Sequence, residues 1–67
     1  MVEMQEVESN TIESIGYEGD TLHVKFGNGR TYKYPRVPED KYKRMLEADS
    51  PGGYFRKHIS GKYRHSA

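Results

Sequence analysis

The 67-residue sequence predicts an α+β domain, a three-stranded antiparallel meander followed by two short helices packed on one face. Three observations lead there. β-Branched and aromatic residues fill the first half in runs separated by glycine-bearing turns. The clearest run, residues 21–26, alternates Leu22, Val24 and Phe26 with His23 and Lys25. Two proline-led segments, Val37-Pro38-Glu39-Asp40 and Ser50-Pro51, then carry the signature of helix starts.

Residues 1–5 show no convincing period, and residues 1–6 are assigned to a flexible N-terminus. Residues 7–17 read as the first strand. Its apolar positions Ile12 and Ile15 are three apart, so either a bulge lies near Glu13-Ser14 or the strand proper starts later. Glu18-Gly19-Asp20 is a turn leading into the alternating run.

Residues 27–29, Gly-Asn-Gly, turn the chain into Arg30-Thr31-Tyr32-Lys33-Tyr34, and the loop length decides where the two tyrosines point. A two-residue Asn28-Gly29 turn would set Phe26 opposite Thr31 and expose Tyr32 and Tyr34 beside the charged residues. A three-residue loop with Gly29 as a left-handed bulge pairs Phe26 with Arg30, Val24 with Tyr32 and Leu22 with Tyr34. The second register is favoured because it gathers five apolar side chains on one face and leaves His23, Lys25, Thr31 and Lys33 on the wet one.

Pro35 lacks an amide hydrogen and so ends regular pairing or marks an edge. The first helix runs from the Pro38 region to about residue 48, with Tyr42, Met45 and Leu46 as its apolar stripe and Lys41, Lys43 and Arg44 facing outward. Ser50 caps a second helix extending to about residue 60, whose inner face carries Phe55 and Ile59, with Tyr63 in line beyond. Residues 7–64 form a single domain and residues 65–67 a flexible C-terminus. A chain this short buries only about 60% of the surface exposed when unfolded, so the six tyrosines must supply much of the core.

The absence of cysteine excludes disulfides, thiol catalysis and cysteine-rich zinc sites. No apolar run reaches membrane-span length and the acidic N-terminus is unlike a signal peptide, so a soluble, cytoplasmic protein without membrane contact is expected. His23, His58 and His65 lack metal-ligand spacing, and Ser50 is better used as a helix cap than as a nucleophile. The expectation is a non-enzymatic protein with no cofactor and no metal.

Net charge is only +1, yet the chain is polarised. Residues 1–20 hold six acids and no lysine or arginine, whereas residues 52–67 carry Arg56, Lys57, Lys62 and Arg64 and no acid. A basic end interleaved with Tyr54, Phe55 and Tyr63 suits a polyanion, although a solvated surface whose ends attract each other is the simpler alternative. Gly52 and Gly53 at a helix start leave backbone amides able to hold an anion, with Arg56 and Lys57 one turn on; equally, the glycines permit close packing. Lys25 and Lys33 project from the polar sheet face with His23, and Arg30 and Arg36 stand near its rim. These ten residues (Lys25, Arg30, Lys33, Arg36, Gly52, Gly53, Arg56, Lys57, Lys62 and Arg64) are the candidate nucleic-acid or anion site.

The segments Val7-Glu8-Ser9-Asn10-Thr11-Ile12, Ile15-Gly16-Tyr17, Leu22-His23-Val24-Lys25-Phe26, Gly29-Arg30-Thr31-Tyr32-Lys33-Tyr34, Val37-Pro38 and Ala48-Asp49-Ser50-Pro51-Gly52-Gly53-Tyr54-Phe55, with Ile59 and Tyr63, resemble the KTSC domain. That family is named for the C-terminal region of certain lysyl-tRNA synthetases and also occurs as small stand-alone bacterial proteins. Its central Tyr-x-Tyr signature is matched by Tyr32-Lys33-Tyr34, and the resemblance spans residues 7–64. The family's function is not established; the resemblance implies a stand-alone bacterial or phage-encoded binding module, modestly strengthens nucleic acid over other partners, and offers no catalytic residues to carry over. RNA or another polyanion is therefore the expected partner, a protein bound or self-associated through an exposed sheet edge is the alternative, and a monomer is favoured.

Overall fold

Alternating residues and a glycine turn build the first hairpin. In the structure, a computed structural model that describes residues 2–65, β1 (Met4–Glu6), β2 (Ile12–Glu18), β3 (Thr21–Phe26) and β4 (Thr31–Tyr34) form one antiparallel sheet in chain order. Two helices follow, α1 (Glu39–Glu47) and α2 (Pro51–His58). The α+β class stands, and the strand count is four rather than three. Expectations for Met1, Ser66 and Ala67 lie outside the described residues.

The three-residue loop is the one adopted. Val24 pairs with Tyr32 and Leu22 with Tyr34, the Phe26 amide donates to the Arg30 carbonyl at 2.8 Å, and Gly29 takes a φ of 90° that a side chain would resist. Tyr34 is consequently core, only 4% exposed, while Tyr32 is half-buried. Both alternatives raised for the first strand also apply. β2 begins at Ile12, and its register against β3 slips between Ile12 and Ser14, so Glu13 is the extra residue that lets Ile12 and Ile15 both point inward.

The additional strand is built on a missing side chain. A Cβ at Gly16 would lie 2.7 Å from Met4 Sδ and 2.8 Å from both the Glu3 carbonyl oxygen and Val2 Cγ2. Residues 2–4 therefore crowd Gly16 on the outer face as Met4 pairs with it, and the periodless N-terminal segment gains a place in the sheet.

Ile15, Leu22, Val24 and Tyr34 meet Val37, Met45, Phe55 and Ile59 on the helix side. Phe55 is the hub, its ring 5.5 Å edge-on from both Phe26 and Tyr34. Val37 ties the sheet to α1: its amide donates to the Asp20 carbonyl at 2.9 Å, and its carbonyl accepts from the Tyr17 hydroxyl. The Tyr17 ring stacks on Tyr42 of α1 at 5.5 Å. Pro38 stands just before α1 with an extended ψ of 144°, leaving Glu39 and Asp40 in the first turn. Of the expected stripe, Met45 is fully buried and Tyr42 half-buried, but Leu46 is 37% exposed. Leu46 instead lines a shallow concavity with Gln5, Val7 and Pro51 at the edge of the core.

Candidate functional site

Helix α2 begins as its sequence dictates. Ser50 Oγ accepts from the Gly53 amide at 3.2 Å, and Pro51 occupies the first helical position, where its missing donor is harmless. Gly52 is buried, and a Cβ there would approach Ser9 Oγ to 2.8 Å. Ser9 Oγ already accepts from the Thr11 and Ile12 amides at 3.2 and 3.3 Å, so the 9–11 loop is tightly braced where it meets the helix start. One glycine thus serves close packing and the other donates to the cap. The adjoining concavity, about 410 Å³, includes Arg56 but also Glu8 and Asp49, which oppose an anion there.

The polar sheet face is also different from its sequence description. His23 is only 9% exposed and is held below the usual histidine pKa, first by burial and then by Lys33, with Glu18 acting the other way. Placed between Gly16 and Lys33 in neighbouring strands, it lies on the face opposite the helices but is covered there rather than wet. Lys25 is paired with Glu13 at 3.4 Å, and Arg30 sits on the hairpin loop, its amide held by Asn28 Oδ1 at 3.0 Å. Strand alternation sends Lys25 and Lys33 to the face opposite the helices, so they cannot act together with the C-terminal cations.

Three of the ten candidates, Arg36, Lys62 and Arg64, do come together. After α2 the chain makes a tight turn in which Gly61 has a φ of 82° and the Lys62 and Tyr63 amides both donate to the Ile59 carbonyl at 3.1 Å. That turn sets Lys62, Tyr63 and Arg64 beside Pro35 and Arg36, around a concavity of about 570 Å³ with no carboxylate among its described lining residues. Further on, His65 lies against Tyr32 and Tyr34 at 4.7 and 5.5 Å. Arg36 adopts a φ of 63°, a left-handed conformation that costs a side-chain-bearing residue roughly 1–2 kcal/mol.

Lys62 also faces the other way. His58, stacked on Tyr54 with ring centroids 4.3 Å apart, is held below its usual pKa by partial desolvation and then by Lys41, Lys62, Lys57 and Arg44. Arg44 is itself paired with Asp40 at 2.9 Å. Lys41 and Arg44 of α1, Lys57 of α2 and Lys62 of the turn thus all lie near enough to His58 to oppose its protonation, and Lys62 also lines the concavity of Arg36 and Arg64. Lys41, Arg44 and His58 were absent from the sequence-derived set. The available signal was the outward spacing of Lys41 and Arg44, but which neighbour that face would adjoin depends on how α1 meets α2.

Among the described residues no group of three or more histidines and acids is placed to hold a metal ion, and no helix is long and apolar enough to cross a membrane. Residues 8–63 match the model of the KTSC domain. A protein of Stutzerimonas stutzeri is 39% identical over 51 residues, covering 73% of this chain and 72% of its own length. A lysine–tRNA ligase of Nostoc punctiforme is 34% identical over 59 residues, which are 85% of this chain and 10% of the ligase. Among solved structures, a KTSC domain protein from Yersinia pestis superposes with a TM-score of 0.92 at 35% identity, covering 98% of this chain and 96% of that one.

Proposed function

The chain belongs to the KTSC domain family, and from that premise we propose that it is a non-enzymatic module that binds RNA or another polyanion. The observation that carries this reading is the concavity lined by Arg36, Lys62 and Arg64 with Pro35 and Tyr63, and it is supported by the Tyr54–His58 stack, whose histidine feels Lys41, Lys62, Lys57 and Arg44. Cations flanking accessible rings serve a single strand well, the cations following phosphates and the rings offering flat faces to bases. RNA is favoured over other polyanions because a similar segment forms a tenth of a protein named as a lysine–tRNA ligase. A second reading, strand addition by a protein partner, is supported by β4, which borders the sheet with β3 as its single neighbour strand.

Titration with single-stranded RNA at varied salt tests the main reading. If all six cations neutralise phosphates, log K falls with log salt at a slope near −4, a loss of roughly 300-fold between about 50 and 200 mM. Replacing Lys57 and Lys62 with glutamine lowers the affinity and flattens that slope by about 1.4. Failure to bind RNA at low salt refutes it, and a concentration-dependent mass in light scattering would favour the protein-interaction reading.

A further inference from the structure

Of the six cations, Arg36 is the one placed where its own backbone resists it. Val37 is pinned by its amide bond to Asp20 and by the Tyr17 hydroxyl, so the turn leaving β4 has little freedom to relax. Glycine would accept the φ of 63° without a steric penalty. An arginine there therefore calls for a use of its side chain, and such outliers gather at binding sites. Across the concavity the Ile59–Tyr63 turn holds Lys62 and Arg64 in place, while Tyr63 and Pro35 supply apolar wall.

Resting on the polyanion reading above, we propose that the concavity of Pro35, Arg36, Lys62, Tyr63 and Arg64 is an end-binding site for the terminal phosphate monoester of a single-stranded RNA. A monoester carries close to two negative charges and three free oxygens, whereas an internal diester carries one charge and two. Three cations from two chain segments, with no carboxylate among the described lining residues, match the monoester. The volume of about 570 Å³ has room for a terminal nucleotide, and Tyr63 in its lining offers the base a surface. The remaining cations along α1 and α2 then follow the adjoining backbone.

The test compares one short RNA sequence bearing a 5′-phosphate, a 3′-phosphate or hydroxyls at both ends, at a fixed salt concentration. One phosphorylated form should bind about tenfold or more tightly than the hydroxyl form, and which form does so identifies the end recognised. R36G should remove that preference, and because it relieves the left-handed strain its melting temperature should not fall. K25Q, on the opposite sheet face, should keep the preference. Equal affinity for all three RNAs, or a preference that survives in R36G, overturns the end site while leaving the general RNA-binding reading in place. No binding of any form overturns both, and tighter binding of a phosphoserine peptide than of the phosphorylated RNA overturns RNA as the ligand.

Discussion

Gly52 distinguishes a packing glycine from an anion-binding one, and Gly52→Ala decides between them. The added Cβ would sit 2.8 Å from Ser9 Oγ but at an ordinary 3.8 and 3.9 Å from Thr11 Cβ and Oγ1. Ser9 must therefore turn away, giving up its bonds from the Thr11 and Ile12 amides. At about 1 kcal/mol each the loss is about 2 kcal/mol, and alanine returns up to about 1 kcal/mol of helix propensity. The net destabilisation is about 1 kcal/mol, or a fall in Tm of roughly 4–8 °C for a domain of this size. In a Ser9→Ala background the obstructing oxygen is gone, and Gly52→Ala should stabilise by up to about 1 kcal/mol. Urea unfolding of the four proteins, followed by far-UV circular dichroism, measures this reversal of sign. RNA affinity should be unchanged in folded Gly52→Ala. Equal effects in both backgrounds, or a stable variant that has lost RNA affinity, would refute the packing account.

Gly16→Ala sets a Cβ against the Glu3 carbonyl oxygen, which cannot rotate aside; a loss of about 1–3 kcal/mol with faster amide hydrogen exchange in β1 is expected, and unchanged exchange would contradict the crowding. His23 is held below its usual pKa in the fold, so the unfolded chain takes up the proton first: its contribution is present above about pH 6.5 and lost as pH falls toward the folded value. His23→Gln should flatten that part of the pH–stability curve, and an unaltered curve would reject the assignment. For His58 the linkage is to binding. RNA that neutralises Lys41, Lys62, Lys57 and Arg44 raises the pKa of His58, so the complex holds more protons and affinity strengthens as pH falls through the histidine range. His58→Asn should weaken this trend, whereas affinity rising with pH would be inconsistent with it.

Much of the architecture was legible because local signals agreed. The alternation in residues 21–26, the glycine of the bulged loop and the scarcity of apolar residues all pointed to Tyr34 in the core, and Ser50 with Pro51 marked a helix start that the cap bond realises. β1 was not legible, because it depends on the room Gly16 leaves rather than on a period in its own residues. His23 misled through its alternation with Leu22 and Val24, which assigns a face but says nothing of what covers it. The candidate site was half visible. Arg36, Lys57, Lys62 and Arg64 were recognisable as cations, but the grouping of Arg36 with Lys62 and Arg64 arises from the turn after Ile59, and the nearness of Lys41 and Arg44 to His58 depends on how α1 meets α2.

The most direct test of the proposed surface is a backbone and histidine side-chain NMR titration with a short single-stranded RNA at low salt. The account predicts saturable shifts concentrated at Lys41, Arg44, Lys57, His58 and Lys62 and continuing to Arg36 and Arg64, with His23, Lys25 and Lys33 left nearly unmoved. Shifts centred on Lys25 and Lys33, or no saturable shifts at all, would contradict it.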